Sequence, residues 1–169
     1  RFDDEFMRLV CYRNFYDPYE WHWKDGRSRW DLLDPMRIMR ALRPEGMQWP
    51  FLDGKPTVKL ELMAKENGVL HENAHDALSD VLALIDLAKK FQNSQPKLFA
   101  YLLKMRDKKE VARLIDSEEP FVYTSGKYSG EHKKTTLAIK VGDHPTSGAL
   151  VYDLREDPTE FLAMSPIEL

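Results

Sequence analysis

A histidine and an aspartate, His75 and Asp80, lie five residues apart at the start of a long apolar-rich segment. An imidazole has an unperturbed pKa near neutrality, so it can accept a proton from a water molecule that attacks phosphorus. A nearby carboxylate can bind a divalent metal ion, and phosphodiester hydrolysis commonly uses two such ions about 3.5–4 Å apart. The pair therefore indicates metal-assisted hydrolysis, although this spacing alone is more typical of a helix entry and a solvated helix face.

The element expected to position this pair is a helix over residues 75–92. Its apolar residues recur at helical spacing and give it a broad apolar face. They are Leu78, Val81, Leu82, Ile85, Leu87, Ala88 and Phe91. Asp76 and Asp80 lie near its start, where the helix dipole favours negative charge. The pattern therefore places His75 at the helix entry and Asp80 on the first turns, facing one pocket.

Two further helices are predicted upstream, over residues 33–42 and 58–66. Thr57 is the expected N-cap of the second of them, because its hydroxyl can accept a hydrogen bond from the first free backbone N–H groups. Asn67-Gly68 is the expected C-cap, since these residues adopt left-handed backbone angles readily. The second helix is therefore delimited by ordinary end signals.

The first part of the chain is predicted to form a helix over residues 4–16, followed by an aromatic loop over residues 17–28 and a short strand end over residues 29–31. If the loop is extended, three of its aromatic residues share a face because side chains alternate along an extended backbone. These residues are Tyr19, Trp21 and Trp23. Trp21 and Trp30 are expected to pack in a core.

The character of the chain changes after residues 93–96, which we interpret as a linker. Two short helices and three strands separated by glycine-bearing turns follow. They are predicted over residues 97–104 and 108–115, and over residues 121–124, 135–141 and 149–153. The pattern favours a small, mostly β second domain.

The composition is that of a folded protein. The chain has 169 residues, of which 43% are hydrophobic and 31% charged, so one domain or one domain plus part of another is expected. No run of about 18 apolar residues occurs, and no membrane span is predicted. The single cysteine, Cys11, excludes an internal disulfide. The chain starts at Arg1 rather than at a methionine, and we interpret it as a fragment.

The net charge of −3 does not by itself indicate a nucleic-acid-binding protein. Basic residues are nevertheless concentrated in two stretches, which allows a locally basic groove on a mildly acidic protein. These residues are Lys24, Arg27, Arg29, Arg37, Arg40 and Arg43 in the first stretch, and Lys104, Arg106, Lys108 and Lys109 in the second.

Several stretches of the sequence resemble one known family. They are residues 1–5 (RFDDE), 12–19 (YRNFYDPY), 28–34 (SRWDLLD), 41–46 (ALRPEG) and 73–77 (NAHDA). They resemble the bacterial exodeoxyribonuclease I family, which belongs to the DnaQ-like exonucleases named for four acids and a histidine (DEDDh). The resemblance is specific over residues 1–115 and looser from about residue 118 onward, where it is similar to the start of the family's SH3-like domain.

The resemblance implies an α/β fold. Residues 1–95 would form the C-terminal half of a DnaQ-like, ribonuclease H-like exonuclease domain. Residues 96–169 would be the start of a truncated SH3-like α+β domain. The implied activity is 3′–5′ hydrolysis of single-stranded DNA to mononucleotides with two Mg²⁺ ions, in DNA repair and recombination.

The resemblance also implies roles for individual residues. His75 corresponds to the general base, Asp80 to the last acid and a direct metal ligand, and Asp3 to the acid of the second motif, which helps to hold a metal ion. The first motif, an Asp-x-Glu on a strand, would lie before Arg1. Neither Asp3-x-Glu5 nor Asp116-x-Glu118 is a good substitute, so the chain alone is expected to show little or no catalysis.

A further group matches family residues that contact single-stranded DNA. Its members are Arg8, Tyr19, Trp23, Arg37, Arg43, Asn73 and Lys108. Arginine and lysine can neutralise phosphates, and exposed aromatic rings can stack on unpaired bases. Lys59 stands where the family commonly has an arginine near the substrate; it keeps the charge and loses the planar fork. Without the resemblance, Arg37 and Arg43 would be read as a solvated helix face.

The implied partners are single-stranded DNA and single-stranded DNA-binding protein, the latter through its acidic tail. The parent protein is expected to be a monomer in the bacterial cytoplasm, with no membrane association.

Three alternatives remain open. The chain could come from another DEDDh exonuclease that trims RNA or proofreads, although the β-rich second domain favours exodeoxyribonuclease I. It could be a non-catalytic module that binds single-stranded DNA. His75-Asp76 also spells the dipeptide of the HD phosphohydrolases, and under that interpretation Asp76 rather than Asp80 is the metal ligand.

Overall fold

The structure is a computed structural model that describes residues 2–70, 76–146 and 148–165, except for the side chain of Phe2. The chain divides into two compact units, Arg1–Asp31 and Leu32–Leu169. Helices and strands are mixed, as an α/β protein requires. None of the helices in the described part of the chain is long and apolar enough to cross a membrane.

The first unit consists of helix α1 (Phe2–Arg13) and two 3₁₀ turns, Glu20–His22 and Lys24–Gly26. The predicted helix over residues 4–16 is confirmed, but it ends at Arg13 because Phe15 adopts a left-handed backbone with φ 62°. The strand end predicted over residues 29–31 is wrong. No strand forms there, since the described part of this unit offers no strand to pair with it.

Two helices of the second unit lie where the sequence predicts them. Helix α2 (Leu33–Leu42) buries Pro35, Met36 and Met39, and α3 (Leu60–Glu66) ends as expected, with Gly68 at φ +65°. The predicted cap at Thr57 is wrong, because the N-cap residue is Lys59. The Thr57 hydroxyl instead accepts a hydrogen bond from the Lys59 backbone N–H at 3.2 Å, which orders the turn before the helix.

Helix α4 (Ala77–Ser94) is the longest described helix, and it buries only one narrow stripe against α3 and against α5 (Pro96–Lys104). Its buried residues are Ala83, Leu87 and Phe91. The rings of Phe91 and Phe99 meet edge to face at 5.3 Å. Four other residues of the predicted broad apolar face are exposed: Leu78 is 66% exposed, and Val81, Leu82 and Ile85 are also exposed.

The predicted linker over residues 93–96 is wrong. Helix α4 continues to Ser94, and α5 starts at Pro96, because proline fits the first turn of a helix. The Ser94 hydroxyl donates to the Gly46 carbonyl oxygen at 3.1 Å, and the Gln95 side chain donates to the Glu45 carbonyl oxygen at 3.2 Å. The corner between the two helices is therefore tied to the turn that follows α2.

The last part of the chain begins with helix α6 (Lys108–Ile115), followed by a three-stranded antiparallel sheet. The strands, labelled here as β3 (Phe121–Thr124), β4 (Thr135–Asp143) and β5 (Ala149–Asp153), are in sequence order. All three were predicted, and β4 is two residues longer than expected. A short helix, α7 (Thr159–Leu162), follows the sheet.

A small hairpin was not predicted. Strands β1 (Phe51–Leu52) and β2 (Lys55–Pro56) pair antiparallel. The turn between them is Asp53-Gly54, in which both residues have positive φ. This dipeptide is typical of a two-residue hairpin turn, so the signal was present, but two residues a side are too few for alternation to be visible.

Helix α2 packs against strands β3 and β4 and against α5. The core of this part contains Phe121 and Ala138 from the sheet and Leu102 from α5, all buried. A mainly apolar cavity of ≈ 650 Å³ remains between the sheet and helices α2, α5 and α6. The sheet is therefore held on its helical neighbours by apolar contacts.

Candidate nucleic-acid interface and metal ligands

The start of α4 gives two neighbouring carboxylates different environments. Asp76 is the N-cap residue, and its side chain accepts a hydrogen bond from the Ser79 backbone N–H at 3.0 Å. Asp80 follows one turn later in the first turn of the helix, and it is half-buried. His75 and Asn73, the predicted base and a predicted DNA contact, lie outside the described residues.

Asp3 lies on the exposed side of the first turn of α1, in the first unit. It is one of three consecutive acids there, an arrangement that the positive end of the helix dipole stabilises. Its neighbour Asp4 is ion-paired with Arg29 at 2.6 Å. Asp3 is therefore the more accessible of these two carboxylates.

The described residues contain no group of three or more histidine, cysteine, aspartate or glutamate side chains that could hold a metal ion. Asp3 and Asp80 supply oxygen donors, which are the ligands that Mg²⁺ prefers. Two carboxylates from separate units are not a complete metal cage, so the described residues do not by themselves fit a two-metal centre.

An aromatic and basic cluster in the first unit is the clearest group among the predicted DNA contacts. The Arg8 guanidinium lies 4.9 Å above the centre of the Tyr19 ring. Tyr19 and Trp23 are both exposed, at 51% and 57%, so their rings are available for stacking. A guanidinium beside an exposed ring offers a phosphate contact and a base contact together.

The expectation that Tyr19, Trp21 and Trp23 share one face of an extended loop is wrong. The backbone here forms 3₁₀ turns rather than an extended strand, and the Asp17 side chain fixes the start by accepting from the Tyr19 and Glu20 N–H groups. Trp21 is turned inward and half-buried, and its indole N–H donates to the Pro18 carbonyl oxygen at 3.0 Å.

His22 was not singled out in the sequence. Its ring meets Tyr19 edge-on at 6.3 Å and Trp21 edge-on at 5.0 Å, so it joins the two aromatic side chains. His22 Nδ1 and Arg8 Nε are buried and have no hydrogen-bond partner within the part of the chain that the structure describes. The sequence offered one signal, the position of His22 between two tryptophans, and that pattern alone does not predict ring contacts.

Arg37 and Arg43 lie on α2 and at its end. Arg37 is only 18% exposed, and its guanidinium is ion-paired with Asp34 at 2.6 Å, one turn earlier. Arg43 is the C-cap residue, is exposed, and donates from Nη1 to the Leu42 carbonyl oxygen at 2.7 Å. Arg37 is therefore held in place by its neighbour, whereas the Arg43 head group lies at the negative end of the helix.

Lys59 and Lys108 are both exposed residues at helix starts. Lys59 is the N-cap residue of α3, and Lys108 is the first residue of α6. The Asp107 side chain caps α6 by accepting from the Lys109 backbone N–H at 2.8 Å. The start of a helix therefore fixes the backbone of each lysine.

The chain is similar in sequence to known proteins. Residues 106–169 match the family model described as the exonuclease I SH3-like domain. Exodeoxyribonuclease I of Haemophilus influenzae is 45% identical over 174 aligned residues, covering 100% of this chain and 37% of that protein.

Two solved structures are similar to the chain. A crystal structure of Escherichia coli exonuclease I in complex with a dA16 oligonucleotide matches with a TM-score of 0.82 and 42% identity, over 96% of this chain and 36% of that one. The ExoI/SSB-Ct complex matches with a TM-score of 0.79 and 41% identity, over 96% of this chain and 36% of that one. The chain therefore spans about a third of the length of its relatives.

Residues 106–169 are therefore of the same class as the SH3-like domain of exonuclease I. The chain as a whole is homologous to bacterial exodeoxyribonuclease I over nearly all of its residues.

Proposed function

We propose that the protein containing this chain is a 3′–5′ exonuclease that hydrolyses single-stranded DNA to mononucleotides. The observation that carries the proposal is the homology to exodeoxyribonuclease I, including a solved relative in complex with a dA16 oligonucleotide. The exposed Tyr19 ring under the Arg8 guanidinium supports it, because this pair suits an unpaired base and its phosphate. A role in DNA repair and recombination is part of the proposal.

The proposed chemistry follows the roles implied by the family resemblance. His75 would accept a proton from the attacking water, and Asp80 and Asp3 would contribute oxygen ligands to a site for two Mg²⁺ ions. An Asp-x-Glu pair, which the resemblance places before Arg1, would complete the metal site. The chain of 169 residues alone is therefore proposed to be inactive, since two carboxylates do not make a complete cage.

The remaining predicted residues are proposed to contact the DNA strand. Their chemistry is suitable, because exposed cations neutralise phosphates and exposed rings stack on bases. They are Arg8, Tyr19, Trp23, Arg37, Arg43, Lys59, Asn73 and Lys108. The boundary between the exonuclease portion and the SH3-like portion is proposed to lie near residue 95.

The proposed protein partner is single-stranded DNA-binding protein. A solved relative was determined as an ExoI/SSB-Ct complex, which supports this choice. The parent protein is proposed to act as a monomer in the bacterial cytoplasm.

A substrate series tests the proposal. Full-length protein is incubated with matched single-stranded DNA, double-stranded DNA and RNA, with Mg²⁺ and with a chelator in its place. We expect nucleotides to be released from single-stranded DNA in the presence of Mg²⁺ and not in the presence of the chelator. Faster degradation of RNA would identify an RNA-trimming exonuclease instead, and tight binding of DNA without release would identify a binding module.

A further inference from the structure

The loop between β3 and β4, residues 125–134, lies directly against α2. A Cβ atom placed on Gly126 would be 3.6 Å from Nη1 of Arg37. On the other side of the loop, Lys133 Nζ lies 3.5 Å from the carbonyl oxygen of Arg40. The loop contains three lysines and one glutamate, so it brings positive charge to a helix face that is already basic.

The charges on this face are unevenly compensated. Arg37 is ion-paired with Asp34, whereas none of the ion pairs within the described residues involves Arg40. Burial lowers the pKa of the Arg40 guanidinium, and the neighbouring charge of Arg37 lowers that pKa further. Cations brought together in this way repel one another, and a bound anion would relieve the repulsion.

The last two lysines of the loop, Lys133 and Lys134, make different contacts. Lys133 and Lys134 both have left-handed backbone angles, with φ 53° and 60°, which are unfavourable for a non-glycine residue. Lys134 Nζ donates to the carbonyl oxygens of Gly126 and Tyr128, at 2.9 and 3.0 Å, and so holds the loop together. Lys133 makes only the long contact with Arg40, and two of its three ammonium donors remain available among the described residues.

Beside this loop, a groove of ≈ 410 Å³ separates the end of α2 from the sheet. Its apolar lining includes Leu42 and Leu137, and its charged lining includes Lys133. Glu131 and Arg155 also line the groove; Arg155 is already paired with Asp153. An apolar surface next to a cation suits a nucleotide, which has an apolar base face and an anionic phosphate.

We propose that the β3–β4 loop and α2 form a phosphate-binding surface for single-stranded DNA, in which Lys133 contacts the strand next to Arg37 and Arg40. The surface adds the β3–β4 loop to a DNA path that is already proposed to reach the SH3-like portion at Lys108. This inference rests on the proposed function, which supplies the ligand.

Salt-dependent DNA binding tests the inference. Full-length protein is titrated against a fluorescently labelled oligothymidylate between 50 and 200 mM salt, without divalent metal so that the strand stays intact. Each phosphate contact to a single strand contributes a slope of about −0.7 to log K against log salt. We expect Lys133→Ala to bind more weakly at low salt and to reduce the slope by about 0.7. Wild type would then lose about threefold more affinity than the variant over this range.

Two further variants of Lys133 isolate the effect of its ammonium group, and a variant of Lys97 is the control. Lys133→Gly removes the charge without adding backbone strain, because glycine adopts left-handed angles freely, and it should match Lys133→Ala. Lys133→Arg keeps the charge and should restore the wild-type slope. Lys97→Ala, an exposed lysine of α5 outside this surface, should bind as wild type does.

The outcomes separate this inference from the proposed function. A wild-type slope in Lys133→Ala and Lys133→Gly overturns the inference while leaving the exonuclease proposal intact. Weaker binding of an acidic C-terminal peptide of single-stranded DNA-binding protein, with the DNA slope unchanged, also overturns it. Failure of the wild-type protein to bind single-stranded DNA overturns both.

Discussion

Asp76 and Asp80 are one helical turn apart, and their surroundings predict different tasks. The Asp76 carboxylate is occupied in capping α4, whereas Asp80 is half-buried in the first turn. The sequence shows two carboxylates near a helix start, but it does not show which one the Ser79 backbone N–H engages. Metal binding by Asp80, under the exonuclease interpretation, or by Asp76, under the HD interpretation, stays a prediction.

A pair of isosteric variants tests this assignment. Asp80→Asn removes the charge of a metal ligand and should lower nucleotide release by about 100-fold or more. Asp76→Asn should retain most of the activity, because asparagine is as good an N-cap as aspartate. Steady-state rates on a single-stranded oligonucleotide give the comparison, and thermal unfolding shows whether both variants are folded. The opposite order of activities would support the HD interpretation.

At the scale of elements, Asn67 joins α3 to the segment after α2. Its buried side chain accepts from the Gln48 N–H at 2.9 Å and donates to the carbonyl oxygens of Gln48 and Met63 at 2.8 and 2.9 Å. The Asn67 backbone carbonyl accepts from Lys90 Nζ at 2.7 Å, which adds α4 to the same junction. One residue at a helix end thus fixes three segments.

Replacing Asn67 with alanine should lower the free energy of unfolding by about 1–3 kcal/mol, because the backbone N–H and carbonyl of Gln48 would lose their partner. The Met63 carbonyl would keep only the bond from the backbone N–H of residue 67. Gln48→Ala is the matched control. Asn67 binds only the backbone of that residue, and the Gln48 side chain is exposed, so the control should change stability by less than about 0.5 kcal/mol. Chemical denaturation measures both variants; equal losses would contradict the role given to Asn67.

Most elements could be predicted because their signals are local. Helix α2 and strands β3 and β5 have the predicted bounds, since periodicity and nearby turn residues determine them. The prediction of a linker over residues 93–96 is wrong because the residues that bond to this segment, Glu45 and Gly46, are far away in the sequence. Lys133 was missed for the same reason, since only the folded hairpin brings it to α2.

At the scale of the whole molecule, the open apolar face of α4 is the main departure from the sequence prediction. Periodicity correctly predicted an apolar face, but it cannot predict how much of that face the rest of the chain covers. The proposed ligands Asp3 and Asp80 are likewise far apart in the sequence, so no local pattern joins them. A metal site assembled from distant segments leaves only isolated carboxylates in the sequence, and family resemblance was needed to select them.

The 3′ end of the DNA strand reports on the proposed reaction of the whole protein. Full-length protein with Mg²⁺ is given single-stranded DNA labelled at its 3′ end, and the size of the labelled product is followed from the earliest times. We expect the label to appear at once as a mononucleotide while the rest of the strand shortens gradually. Labelled oligonucleotides as the first products, or a label that stays on the strand until the end of digestion, would contradict it.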